Sequence, residues 1–79
     1  MYTVYILLSK KDNKRYIGFT DNIERRLYEH NSGNVKSTKN RKPFELVYSE
    51  QFEDKHEAML REKFFKTHLG RNFLDSIDK

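Results

Sequence analysis

Two segments of strand composition, separated by a short polar stretch, open the chain and constrain its fold more than any other feature. Residues 2–8 and 15–19 are rich in aromatic and β-branched side chains, whereas residues 10–14 between them are polar. A gap this short favours an antiparallel hairpin. If the loop has an even number of residues, odd positions of one strand pair with even positions of the other, which places Tyr5 and Tyr16 on the same face as neighbours.

A first helix is predicted directly after the hairpin. Residues 20–22 supply good N-caps, and Ile23, Leu27 and His30 then recur at the spacing of one helical face. Gly33 can adopt the left-handed conformation that closes helices, so the helix is expected to end near it.

A third strand and two further helices complete the pattern. Residues 44–52 again have strand composition and are placed beside the hairpin. Asp54 caps a second helix, which is expected to run to Leu69 because Gly70 supplies a stop signal. Apolar residues at helical spacing within the tail, residues 71–79, predict a short closing helix.

The order of these elements predicts the fold class. The order ββαβαα indicates an α+β fold, with a small three-stranded antiparallel sheet flanked by helices. At 79 residues the chain is too short to divide, so residues 1–79 are expected to form a single domain. The polar segment of residues 33–43 is predicted to be a loop in which no core forms.

The composition excludes several classes of protein. The chain has no cysteine, so disulfides and thiolate zinc sites are excluded, and any metal ion must be held by oxygen or nitrogen ligands. The longest apolar run, residues 4–8, is far shorter than the ~20 residues of a membrane span, and no signal peptide is recognisable. A cytoplasmic location is therefore expected. A formal charge of +4 favours phosphate-bearing partners, although many small proteins are basic for solubility alone.

Glu62 looks out of place on the second predicted helix. It falls within an apolar stripe formed by Ala58, Phe65 and Leu69. Leaving an ionised carboxylate unpaired in apolar surroundings costs several kcal/mol, so such a residue normally has a cation, a metal ion or a water-filled cleft beside it. The simplest alternative to a functional role is a salt bridge with a cation of the same helix.

The first helix carries two polar residues of similar interest. Singly, Arg26 is best explained as a solvated residue and His30 as a helix-end residue favoured by the dipole. Gly18 weakens the second strand, which indicates either a bulge or the close approach of another group. Taken together, the two tyrosines, the two helix residues and Glu62 could line one concave site.

Short motifs stand in a fixed order along the chain. They are Val-Tyr-Ile at residues 4–6 and Tyr-Ile-Gly at residues 16–18, a helical segment with arginine and histidine at residues 24–31, and Arg-Glu-Lys at residues 61–63. In this arrangement the chain resembles the GIY-YIG nuclease family, although its first triplet keeps only the tyrosine. The likeness extends over residues 2–74 and is greatest to small single-domain members related to the nuclease domain of the UvrC excision-repair subunit.

The resemblance implies hydrolysis of a DNA phosphodiester with one divalent metal ion, Mg²⁺ or Mn²⁺. Glu62 would be the metal ligand, since magnesium is commonly held by one or two carboxylates with water and phosphate completing its shell. Tyr16 would help activate the attacking water, and Tyr5 would bind the phosphate or assist the proton transfer. Arg26 would bind phosphate oxygens and lower the pKa of the neighbouring phenol, which at ~10 is too high for a base at neutral pH. His30 would position Tyr16 or relay its proton.

The resemblance also implies contacts with DNA beyond the reacting phosphate. Four cations of the polar loop would contact flanking phosphates with little sequence preference, or would form only a solvated charged surface: Lys36, Lys39, Arg41 and Lys42. Some family members use a late asparagine, for which Asn72 is the candidate here. Nothing in the sequence resembles an appended sequence-reading domain, so the domain either acts with low specificity or takes its targeting from a partner protein. DNA repair, recombination and mobile-element processing all fit such an activity.

Two other functions fit the same residues. One is a catalytically silent module that has kept the nuclease fold and binds nucleic acid without cutting it. The other is a small basic scaffold protein of a ribosome or another assembly, with its aromatic residues used only for packing. Cleavage of DNA distinguishes the enzyme from the silent module, and a response to divalent metal distinguishes it from the scaffold.

Overall fold

The computed structural model describes residues 1–77, which contain three strands and three helices in the predicted order. The strands are β1 (Tyr2–Ser9), β2 (Arg15–Thr20) and β3 (Phe44–Phe52), and the helices are α1 (Ile23–Asn31), α2 (Lys55–Phe65) and α3 (His68–Ile77). The predicted α+β fold of order ββαβαα is thereby confirmed. The last two residues of the predicted domain and of its tail helix lie outside the described residues. None of the described helices is long and apolar enough to span a membrane.

The three strands form one antiparallel sheet in the order β2-β1-β3. β1 pairs with β2 in a continuous register that sets Tyr5 opposite Gly18 and Leu7 opposite Tyr16. Because side chains alternate between the faces of a sheet, Tyr5 and Tyr16 lie on the same face, with their ring centroids 6.3 Å apart. The prediction that the two tyrosine rings are neighbours is confirmed.

Different helices cover the two faces of the sheet, which is why consecutive residues of the central strand β1 are buried. On one face, Tyr5, Leu7 and Phe44 pack together with Ile23 and Leu27 of α1. On the other face, β1 packs against both α2 and α3. That second cluster comprises Val4, Ile6, Ala58, Phe65 and Leu74. The face covered by α1 is the one that carries the two tyrosines.

Side-chain caps set the starts of α1 and α2. The Asn22 Oδ1 atom accepts a hydrogen bond from the Arg25 N–H at 3.1 Å, and the Asp54 Oδ1 atom accepts one from the His56 N–H at 3.0 Å. Just after the end of α1, Gly33 adopts a φ of +81°, a conformation that side chains disfavour. Both ends of α1 and the start of α2 therefore follow from the local signals identified in the sequence.

Gly70 does not end the second helix, and the prediction that this helix runs to Leu69 is wrong. α2 ends at Phe65, and α3 begins before Gly70 and continues through it. Thr67 starts the new helix, because its hydroxyl accepts a hydrogen bond from the Gly70 N–H at 3.2 Å. Leu69 is consequently 70% exposed and does not belong to the apolar stripe of α2.

Packing rather than a turn explains the glycine at position 70. A Cβ atom at Gly70 would lie 2.0 Å from the carbonyl oxygen of Phe64 and 2.6 Å from the Cα atom of Phe65. The start of α3 therefore touches the backbone at the end of α2 directly. A residue with a side chain fits there only if the two helices move apart.

The loop between α1 and β3 contains a fully buried side chain, contrary to the expectation that no core forms there. Thr38 is 0% exposed. Arg41, near the end of the loop, ties it to the hairpin, because its Nε atom donates to Asp12 Oδ2 at 2.7 Å and its Nη2 atom donates to the Lys14 carbonyl at 3.2 Å. The loop is therefore held in a defined position beside the sheet.

Replacing Gly70 with alanine is expected to destabilise the protein by roughly 1–3 kcal/mol, because the new methyl group must push α3 away from the backbone of α2. At an unhindered helical position the same change would stabilise the protein by about 1 kcal/mol. The sign of the change in unfolding free energy therefore shows whether the two helices are in close contact at Gly70. Urea unfolding measures the difference, with Ser76→Ala as a control at an exposed position of the same helix. A Gly70→Ala variant as stable as the wild type would show that the helices do not meet this closely.

Candidate active site

Tyr5 is the centre of the candidate site, and its side chain is only 1% exposed. From β1 its ring extends across the neighbouring strand at Gly18, where a Cβ atom would lie 2.7 Å from the phenol oxygen and 2.9 Å from Cζ. Glycine at position 18 therefore serves close approach, and the continuous register of β1 and β2 excludes the alternative of a bulge. The missing side chain leaves the space through which the phenol reaches α1.

His30, near the end of α1, receives this phenol. Its Nε2 atom lies 3.1 Å from the Tyr5 hydroxyl, and its Nδ1 atom lies 2.8 Å from the hydroxyl oxygen of Thr38. All three side chains are buried, so these hydrogen bonds satisfy polar groups that water does not reach. They also join three parts of the chain, namely β1, α1 and the following loop.

Tyr16 of β2 lies beside this group with its side chain half-buried. Its ring packs edge-to-face on His30, with 4.8 Å between centroids, and on Phe44, with 6.5 Å. His30 therefore contacts Tyr16 by ring packing, while its hydrogen bond goes to Tyr5. Within residues 1–77 the Tyr16 hydroxyl has no hydrogen-bond partner, whereas every buried side-chain nitrogen or oxygen there has one. The Tyr16 hydroxyl is consequently open to water.

Arg26 brings a positive charge to the Tyr5 hydroxyl from the same helix as His30. The nearby Tyr5 hydroxyl and, to a lesser extent, Glu29 hold the pKa of Arg26 above its ordinary value. The Nη1 atom donates to Glu29 Oε1 at 3.2 Å, and the side chain remains 34% exposed. The salt bridge with Glu29 thus holds the guanidinium while part of it faces solvent.

The exposed side of Arg26 borders a groove of about 410 Å³ between α1, the end of β2 and the start of α2. The groove is lined by Tyr2, Phe19, Thr20, Asp21, Arg25, Arg26 and Lys55. Arg25 pairs with Asp21 at 2.9 Å, so its charge is partly compensated. Arg26 and Lys55 give the groove a cationic lining from two different helices.

Burial leaves both Tyr5 and His30 uncharged at neutral pH. It raises the pKa of Tyr5 above the ordinary value of 10.0, and Arg26 opposes this effect only in part. The neighbouring Tyr16 and Glu62 raise the pKa of Tyr5 further. Burial also lowers the pKa of His30 from 6.5 to about 4, and the charge of Arg26 acts in the same direction. Tyr5 therefore keeps its phenol proton, and the neutral imidazole of His30 carries one ring N–H rather than two.

Glu62 approaches from the other face of the sheet, on α2. Its side chain is 21% exposed and lies 3.8 Å from the Nζ atom of Lys66, so the simplest expected salt bridge is present only as a long contact. The adjacent cation, Arg61, is bound instead to Glu50 of β3 at 2.7 Å. The negative charge of Glu62 contributes to the raised pKa of Tyr5, so the carboxylate acts on the phenol from within electrostatic reach.

The donor set around Glu62 fits a hydrated Mg²⁺ or Mn²⁺ ion better than an ion held entirely by protein. In the part of the chain that the structure describes, no group of three or more His, Asp or Glu side chains is arranged to hold a metal. Magnesium needs only one or two carboxylates, because water and phosphate oxygens complete its shell. A single half-buried carboxylate with one long cation contact is a suitable ligand of this kind.

The remaining predicted residues differ in how available they are to a ligand. Lys36, Lys39 and Lys42 are exposed on the loop, whereas the guanidinium of Arg41 is engaged by Asp12. Asn72 is an exposed residue of α3.

Sequence reasoning missed two residues of the site, Thr38 and Lys55. Thr38 lies in a polar loop whose composition gave no sign of burial. Lys55 directly follows a helix cap and resembles any other surface lysine. No local pattern distinguishes either residue, because each gains its role from contacts between distant parts of the chain.

Comparisons with known proteins agree with this architecture. The sequence model of the family described as "GIY-YIG catalytic domain" matches residues 1–74. The UPF0213 protein SH2523 of Staphylococcus haemolyticus is 44% identical over 77 residues, which cover 95% of this chain and 94% of that protein. The UPF0213 protein CPE1444 of Clostridium perfringens is 48% identical over 73 residues, which cover 91% of this chain and 76% of that protein. The solution NMR structure of the UPF0213 protein BH0048 from Bacillus halodurans is 38% identical, with a TM-score of 0.59 and coverage of 98% of this chain and 85% of that one.

Lowering the pH is expected to destabilise the protein, because His30 is neutral in the fold. In the unfolded chain His30 takes up a proton near pH 6.5, but in the folded protein it does so only near pH 4. This contribution to stability is therefore complete above pH 6.5 and falls by roughly 3 kcal/mol as the pH is lowered to 4. Urea unfolding across this range measures the loss.

Two variants identify the source of this pH dependence. His30→Gln should remove it, whereas His56→Gln, at an exposed position of α2, should retain it. If His30→Gln and the wild type lost stability in parallel, the imidazole would not be the group responsible.

Proposed function

Because the chain belongs to the GIY-YIG catalytic domain family, we propose that it is a metal-dependent endonuclease that hydrolyses DNA phosphodiester bonds. The observation that carries the proposal is the arrangement around Tyr5, whose hydroxyl lies 3.1 Å from His30 Nε2 and whose pKa responds to the charges of Arg26 and Glu62. These residues come from the central strand and from helices on both faces of the sheet. A guanidinium close to a carboxylate that can hold a metal ion suits an anionic phosphate that gains charge during displacement.

Glu62 is the residue proposed to hold Mg²⁺ or Mn²⁺. When bound, the ion supplies positive charge that stabilises the oxygen leaving the phosphate. The half-buried position of the carboxylate supports this role, because one side of it remains accessible to a hydrated ion.

Tyr16 is proposed to orient the attacking water and, in its deprotonated phenolate form, to take the proton of that water. Its hydroxyl is open to water, while His30 and Phe44 hold its ring in place. A general base must lie within hydrogen-bond reach of the proton that it takes, and this hydroxyl meets that condition for a water molecule beside it. Tyr5 has a raised pKa and keeps its proton, so it is proposed to act as a hydrogen-bonding group rather than as a base.

Arg26 is proposed to bind the scissile phosphate. Its guanidinium is held by Glu29 and borders the groove that also contains Lys55. A planar guanidinium fixed in this way can donate two parallel hydrogen bonds to phosphate oxygens. Lys55 would contact the next phosphate of the same strand.

Exposed lysines of the loop complete the proposed contacts with DNA. Lys36, Lys39 and Lys42 would bind flanking phosphates, and such binding weakens steeply with salt and carries little sequence information. Arg41 is not assigned to this group, because Asp12 already engages its charge. We further propose that the protein acts in the cytoplasm on DNA in repair, recombination or mobile-element processing, either with low specificity or with targeting supplied by a partner protein.

Incubating the purified protein with branched, flapped and plain duplex DNA in Mg²⁺ or Mn²⁺ tests the proposal. Glu62→Gln and Tyr16→Phe should each lower the cleavage rate ~100-fold or more, because each removes a group that acts on the reacting atoms. Glu57→Gln, which changes an exposed carboxylate on the same helix, should cleave at the wild-type rate. Cleavage that survives Glu62→Gln would refute the assigned site. Tight DNA binding without any cleavage would instead favour the silent binding module.

A further inference from the structure

The hydroxyl of Thr38 has no part in the chemistry proposed above, yet it is fully buried and hydrogen-bonded to His30. Its neighbours Ser37 and Lys39 are exposed, so the loop turns this one side chain inward. Burial of a hydroxyl is unfavourable unless its hydrogen bonds are made. The bonds that Thr38 makes also determine the protonation of the imidazole beside it.

The direction of these hydrogen bonds follows first from the carbonyl of Val35. The Thr38 hydroxyl lies 3.4 Å from this oxygen, which can only accept, so the carbonyl offers the hydroxyl proton an acceptor other than His30. The Thr38 oxygen is then free to accept from the Nδ1–H group of His30 at 2.8 Å. A neutral imidazole has a single N–H, which leaves Nε2 as the acceptor for the Tyr5 hydroxyl at 3.1 Å.

The surroundings of the Tyr5 hydroxyl support the same direction of these hydrogen bonds. Arg26 has only donor groups, and its positive charge near Tyr5 favours a hydroxyl orientation that turns the oxygen lone pairs toward it. With His30 protonated at Nδ1, the Tyr5 hydroxyl donates its proton to Nε2, and its lone pairs are free to face Arg26. The opposite tautomer would aim the Nε2–H of His30 at this oxygen and leave the phenol proton with no hydrogen-bond acceptor among residues 1–77.

We propose that Thr38 is a positioning residue that fixes His30 in the tautomer protonated at Nδ1 and thereby directs the Tyr5 proton into the protein. The Tyr5 oxygen then presents only lone pairs to the site. The lone pairs face the positive charge of Arg26, and the hydroxyl does not donate to a phosphate while its bond to His30 is intact. The effect on cleavage rests on the proposed function, whereas the tautomer is a property of the folded protein alone.

The chemical shifts of the His30 ring nitrogens, measured by NMR on the folded protein at neutral pH, report the tautomer. We expect the form protonated at Nδ1 in the wild type and in Thr38→Ser, which keeps the hydroxyl. Thr38→Val keeps the shape but cannot accept a hydrogen bond, so the tautomer ratio should shift roughly tenfold toward Nε2. Ser37→Ala, at the exposed neighbouring position, should leave the ratio unchanged.

Cleavage provides the second readout. Thr38→Val should cleave DNA ~10–100-fold more slowly than the wild type, and Thr38→Ser should restore most of the rate, because the positioning hydroxyl is back in place.

A wild-type His30 ring protonated at Nε2 overturns the proposal, and this measurement on the wild type decides the proposal even if Thr38→Val does not fold. An unchanged tautomer ratio in folded Thr38→Val, or a shifted ratio with an unchanged cleavage rate, also overturns it. If the wild type cleaves nothing, the proposed function fails while the tautomer measurement still decides how Thr38 acts on His30.

Discussion

The hydrogen bond between the Tyr5 hydroxyl and His30 is the interaction on which the rest of the structure depends. At 3.1 Å it joins the central strand to α1 inside the protein, where a polar group left without a partner would cost about 1–3 kcal/mol. The bond forms because Gly18 leaves room for the phenol ring to cross β2. One glycine on an edge strand therefore permits the contact through which Tyr5 joins α1 to the sheet.

The same buried position sets the charges of the site. Tyr5 keeps its proton and His30 is neutral, whereas Arg26 remains charged at the edge of a groove that also contains Lys55. Glu62 reaches this region from α2, on the other face of the sheet. Neutral groups lie inside the site, and charged groups lie at its border. This separation matters because a buried charge without a partner would be far more costly than a surface one.

Features that depend on a few neighbouring residues could be predicted from the sequence, and contacts between distant residues could not. The strand alternation placed the two tyrosines on one face, and Asn22 and Asp54 each act as a cap within one helical turn. Gly33 and Gly70 looked alike as helix stops, but only Gly33 adopts a positive φ, while Gly70 is needed because α3 touches the backbone of α2. Thr38 could not be found in the same way, since its burial depends on where the loop meets α1.

The site is built from side chains of separate elements, and a paramagnetic cation tests that arrangement most directly. Mn²⁺ broadens the amide signals of a folded protein steeply with proximity, so a titration locates the ion without requiring cleavage. We expect broadening centred on Glu62 that extends to Gly18 of β2 and Arg26 of α1, and that disappears in Glu62→Gln. Broadening that leaves the region of Glu62 and Gly18 unaffected, or that persists in Glu62→Gln, would contradict a single site formed by the two helices and the hairpin.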